Sequence, residues 1–177
     1  VREEEMKARI EYITLAPEQS IQIGSATITP YVMSHPVIDF GYRIEENGKS
    51  IFFTGDHEPP YNIYAPDEAG FEQCQAEVKA KNDYLIRAMQ GVDVLIADCS
   101  YTTAEYPAKK GWGHGTYHSS IEYAKKAGAK TLFCTHHEPT RSDDALEAAF
   151  AEAMADHPRR DGDPIYRLAR EGDCYEF

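Results

Sequence analysis

Two short apolar runs constrain this chain more than any other feature: "VDVLIADCS" at residues 92–100 and "AKTLFCTHH" at residues 129–137. Each is nearly continuous rather than alternating, as expected of a strand covered on both faces. Between them, "TYHSSIEYAKKAG" reads as a helix ending at Gly128, a residue suited to a left-handed helix stop. A strand, a helix and a strand in that order form a β-α-β unit, for which a mixed sheet with helices outside it is the natural class.

The flanks extend that unit. "FEQCQAEVKAKNDYLIRAMQ" reads as a helix that Gly91 stops. "SDDALEAAFAEAMADH" opens with Ser142 as N-cap and acids in the first turn, both favourable at a helix start. "PIYRLAREGDCYEF" is expected to add one or two final strands. The front of the chain is β-rich. "IQIGSATITPYVMSH" reads as two short strands around a Gly turn, and "GYRIEENGKSIFFTGD" as a hairpin. In the hairpin, Asn47-Gly48 supplies the positive φ values of a tight two-residue turn. "HEPPYNIYAPDEAG" is a loop dense in proline and turn formers. The expected class is α/β with an α+β mixture: a β-rich front, then β-α-β-α-β.

At 177 residues the chain fits one domain with a real core. No apolar run reaches the ~18 residues of a membrane span. "VREEEMKARIEY" is charged and unlike a signal peptide, and it lacks a starting Met, which leaves processing or truncation open. The net charge of −12 repels polyanions, so a broad nucleic-acid face is disfavoured. A small anionic substrate drawn to a local cation remains allowed. The four cysteines form no Cys-x-x-Cys pair, so a zinc ribbon has no support. Cys99 and Cys134 sit beside apolar runs and read as buried small hydrophobes. Reduced thiols in a cytoplasmic protein are the expectation.

Three candidate metal ligands share one context. His35 follows a strand in "YVMSHP", Asp56 in "IFFTGD" and His136 in "TLFCTH". Strand ends form the usual ligand crevice of an α/β sheet. Two imidazoles and a carboxylate there suit zinc, manganese or non-haem iron. Each also has a plain reading, as a loop His before Pro, a Gly-Asp turn and a surface His pair. His118, one helical turn after His114, reads as a surface or helix-cap residue. Trp112, Tyr101 and Tyr117 can wall a pocket and stack on a ring, or serve as core and rim aromatics.

From His35 onward the chain resembles the C-terminal half of the metallo-β-lactamase-fold hydrolases, in the branch of RNase Z and related phosphodiesterases. The matching pieces are "SHPVIDFGYRIEENGKSIFFTGD", "VDVLIADCSYTTAEY" and "GHGTYHSSIEYAKKAGAKTLFCTHHEPTRSDD". The spacing from His114 to His136 agrees with the branch without a gap. The resemblance implies an αββα sandwich, of which this chain is the C-terminal portion. It implies two divalent metals, zinc first and manganese or iron next. His35 would bind one, Asp56 bridge both and His136 bind the other, with His137 the weaker of the neighbouring pair. His114 would be a proton donor to the leaving oxygen, with Asp98 orienting it.

Two departures qualify that picture. The branch's His-x-His-x-Asp-His motif is absent; His57 has only "HEPP" around it. An N-terminal segment or another chain is therefore expected to supply it. There is also no room between "GYRIEENGK" and "FFTGD" for the arm by which RNase Z grips tRNA. The expected function is hydrolysis of a small phosphodiester, such as a cyclic nucleotide, by a metal-bridging hydroxide. The alternatives are another small ester, lactone or amide on the same site, and a non-catalytic half-domain used for assembly or binding. A homo-oligomer is left open.

Overall fold

The computed structural model describes residues 7, 8 and 10–177. Its strands are β1 (Ile21–Ile23), β2 (Ala26–Val32), β3 (Phe40–Glu46), β4 (Lys49–Phe53), β5 (Val94–Asp98), β6 (Thr131–Thr135) and β7 (Ile165–Leu168). Its helices are α1 (Phe71–Met89), α2 (Tyr117–Ala127) and α3 (Asp143–Asp156). The seven strands form one sheet in sequence order. β1 to β4 meander antiparallel, and β4 to β7 run parallel. At the β3–β4 turn Asn47 and Gly48 have φ of 50° and 76°, the positive values that a tight hairpin needs.

Each parallel step is bridged by a helix. Right-handed crossovers that step the same way along a sheet place their helices on the same face. α2 packs on β5 and β6 and meets α1 and α3. Its start is fixed by a reciprocal cap: Ser119 N–H donates to Thr116 Oγ1 at 3.0 Å, and Thr116 N–H to Ser119 Oγ at 2.9 Å. Gly128, at φ 65°, ends it. Between helices and sheet lie Phe52, Leu85, Met89, Leu95, Ile121 and Leu132, all fully buried. Burying each such side chain stabilises the fold by about 1.5–3 kcal/mol. Cys99 and Cys134 join this core as free thiols.

The other face is less complete. Tyr42, Phe53, Ile96 and Phe133 form a row across four strands. The C-terminal residues cover one end of it. The Tyr175 ring lies 5.2 Å from that of Phe133, and its hydroxyl 3.1 Å from Thr131 Oγ1. "PIYRLAREGDCYEF" thus gives one strand rather than two, because its last residues are used as a cover. At the other end Tyr42 and Phe53 stay 38% and 41% exposed.

Candidate metal and proton-transfer site

Strand direction assembles the site. β2, β4, β5 and β6 all point the same way, so the residues after them meet at one edge of the sheet. His35 and Asp56 follow β2 and β4 by three residues, Asp98 closes β5, and His136 follows β6 directly. His114 stands just before α2.

Ligand atoms of Asp56, Asp98, His114 and His136 lie within 4.8 Å of one another. Among the described residues this is the one such group of three or more metal-ligating side chains. His136 Nδ1 is 3.4 Å from Asp56 Oδ1, and His35 Nε2 is 3.9 Å from Asp56 Oδ2. The His114 and His136 rings stack at 4.8 Å. The structure therefore brings all five sequence-selected residues to one place, with His35 on the margin of the tight group of four.

The donor set fits a divalent cation. The Asp56 carboxylate accepts no N–H or O–H bond among the described residues; its ionic partners are the imidazoles of His35 and His136, and a carboxylate oxygen of Asp98 lies within 4.8 Å of it. His35 Nδ1 lies 2.8 Å from the Val37 carbonyl and 3.2 Å from the Val37 N–H; with the proton on Nδ1 and given to the carbonyl, the Nε2 lone pair faces Asp56. A back-side hydrogen bond of this kind fixes the tautomer of a metal-binding imidazole.

Asp98 is placed differently. It is fully buried and accepts from His114 Nδ1–H at 2.8 Å, His57 N–H at 3.1 Å and Ser100 N–H at 3.1 Å. Ser100 Oγ lies 2.8 Å from Asp98 Oδ1 and 2.6 Å from the His136 carbonyl, one proton between two acceptors. Burial pushes the Asp98 carboxyl above its usual range, against the pull of these bonds and of His114 first among them. The Ser100 contact also steadies His136, whose φ of 54° is unusual for a non-glycine residue. Asp39 holds Asp56 from behind: Asp56 N–H donates to Asp39 Oδ2 at 2.7 Å. The reading of the sequence missed Asp39, Ser100 and Glu58, because none sits in a ligand spacing.

The remaining histidines turn elsewhere. His57 is buried edge-on to Tyr123 at 5.2 Å, and burial pushes its pKa down to about 3. Neither of its ring nitrogens has a hydrogen-bond partner among the described residues. His137 stacks on Tyr117 at 6.4 Å, and burial lowers its pKa as well. His118 is exposed and pairs with His157, Nδ1 to Nε2, at 2.7 Å. Of the three aromatics, Tyr101 and Tyr117 are buried, while Trp112 is 59% exposed.

The chain belongs to the β-lactamase superfamily domain family, whose model matches residues 1–137. It is 28% identical over 157 residues to the ribonuclease Z of Agathobacter rectalis, covering 73% of this chain and 52% of that protein. It is 26% identical over 168 residues to the ribonuclease BN of Cronobacter sakazakii, covering 79% and 55%. The chain thus spans about half the length of the curated relatives it matches. Its fold is similar to that of the metallo-β-lactamase fold protein YhfI from Bacillus subtilis. The TM-score there is 0.63 at 22% identity, covering 91% of this chain and 54% of that one. No helix of the described residues is long and apolar enough to cross a membrane.

Proposed function

We propose that this chain carries the metal-binding and proton-donating part of a hydrolase for small phosphodiesters. The observation that carries the reading is the pair of buried Asp98 and His114 beside an Asp56 carboxylate that has no hydrogen-bond donor of its own and two imidazoles within 3.9 Å. His35, Asp56 and His136 would hold divalent cations, zinc being the first candidate; when bound, these activate water near neutral pH and neutralise phosphate charge. His114 supplies the other half of the reaction. Its Nδ1–H donates to Asp98, so Nε2 is the atom free to serve a substrate. Protonated, that nitrogen gives its proton to the leaving alkoxide, and the Asp98 carboxylate stabilises the imidazolium beforehand. The relatives named as ribonucleases favour a phosphodiester, and the net charge of −12 favours a small one over an RNA chain. Assays of the metal-loaded full-length protein on cyclic nucleotides and on RNA test this. Turnover of RNA alone, or of carboxylic esters or lactones alone, overturns it.

Three donors do not fill a two-metal site, which takes about three or four per ion. We infer that a further segment or chain supplies the His-x-His-x-Asp-His donors and covers the open end of the Tyr42–Phe53 row. Residues 1–177 alone are then expected to bind at most one metal weakly and to aggregate, with both defects repaired by co-expressing that segment. A soluble, two-metal, active form of these residues alone overturns this.

A further inference from the structure

Glu58 is a buried carboxylate, 4% exposed, with no place in the chemistry described so far. A buried charge is costly unless hydrogen bonds satisfy it. Here one loop supplies them. Tyr106 Oη–H donates to Oε1 at 2.7 Å. Gly111 N–H donates to Oε1 at 2.8 Å and lies 3.1 Å from Oε2, and Gly113 N–H donates to Oε2 at 2.9 Å. Gly111 and Gly113 have φ of 88° and 97°, which aim alternate N–H groups inward like a backbone nest for an anion. In this protein the anion is its own side chain. Burial, and next the bond to Glu58, raise the pKa of the Tyr106 phenol, so it stays a donor.

The clamp reaches both halves of the site. Glu58 N–H donates to the Ser34 carbonyl at 2.8 Å, beside His35. At the far end of the loop, Gly113 rests on the His35 ring so closely that a Cβ there would sit 2.1 Å from His35 Cδ2. The next residue is His114. We propose that Glu58 is a positioning residue: it holds the 106–113 loop so that Gly113 seats against His35 and His114 meets Asp98 with Nε2 turned to the cluster. The proposal rests on the reading of His114 as a proton donor.

The test uses the metal-loaded full-length protein with Glu58→Ala, Glu58→Gln and Tyr106→Phe. Amide exchange at Gly111 and Gly113 reports the loop. Turnover on two phosphodiesters, one with an alkyl and one with a nitrophenyl leaving group, reports the proton donor. Glu58→Ala should speed exchange at both glycines and lower kcat on the alkyl ester by about 10–100-fold, the usual cost of losing a supporting partner. Metal content should hold and KM stay within about twofold, as expected when only a transition-state contact is lost. The loss should shrink on the nitrophenyl ester, which needs no proton; general damage to the fold lowers both equally. Unchanged exchange, or equal losses on both esters, overturns the proposal. If Glu58→Ala does not fold, Tyr106→Phe removes a single hydroxyl and should give a smaller loss with the same leaving-group dependence. Wild-type kinetics in both Tyr106→Phe and Glu58→Gln likewise overturn it. If His114→Ala shows no leaving-group dependence, the donor reading fails, while glycine exchange still decides whether Glu58 holds the loop.

Discussion

Asp56 and Asp98 belong to the same cluster, yet the front and the back of the site treat a carboxylate in opposite ways. The Asp56 side chain is 38% exposed and that of Asp98 is fully buried. Asp98 is already satisfied by His114, by Ser100 and by the His57 backbone, so its lone pairs are committed. Asp56 has uncommitted lone pairs and imidazoles on either side. Protein donors therefore complete the back, and the front is the side that the proposed cations would complete. Proximity alone does not separate these roles; the hydrogen bonds do.

The widest test of this contrast is Asp56→Asn in the full-length protein. Loss of the proposed metal ligand should remove several kcal/mol of transition-state stabilisation, about 10³-fold or more in turnover. Metal analysis should show the bound ion falling with it. Retained metal at wild-type activity breaks the comparison. His114→Ala comes next, with turnover down by roughly 10²–10⁴-fold and metal near wild type. Asp98→Asn should cost about 10–100-fold and again spare the metal. On the proposed role of Asp98, adding Asp98→Asn to His114→Ala should cost little more; additive losses would place Asp98 at the front after all.

The smallest effect on activity belongs to Asp93, a buried carboxylate at the opposite edge of the sheet. It accepts from Lys130 Nζ at 2.7 Å and Ser50 N–H at 2.8 Å. Lys130 first, and the Ser50 N–H next among the groups that lower it, hold its pKa below the usual carboxylate range. A depressed folded pKa gives stability that is present above the unfolded value and is lost as pH falls through the folded one. Asp93→Ala should leave kcat unchanged and cost about 1–3 kcal/mol in denaturant unfolding, because the Ser50 N–H loses its acceptor. The part of the loss owed to the Lys130 pairing should disappear in strong acid, while the part owed to the Ser50 N–H should remain, since a protonated carboxyl still accepts it. A fall in kcat would mean that buried carboxylates here do not divide into anchors of the fold and anchors of the site.

Much of the fold was legible because its signals are local. Asn47-Gly48 marks its hairpin, Ser142 caps α3, and Gly128 ends α2. Strand ends made His35, Asp56 and His136 visible as candidates. The last stretch was read as one or two strands; it gives one, and Tyr175 lies on Phe133 instead of extending the sheet. His57 and His137 looked no different from the other histidines in sequence, and burial alone set them apart.

The sequence by itself determined which segments are strands and helices, and which residue types wait at the strand ends. These follow from backbone sterics, capping chemistry and apolar periodicity within a few residues. Only the tertiary structure decided which carboxylate is saturated and which is open. Besides its neighbour Ser100, Asp98 draws donors from 16 and 41 positions away, and Glu58 draws its donors from 48 to 55 positions away. No local pattern records a bond that exists only once β2, β4, β5 and β6 have come into register and delivered their ends to one edge.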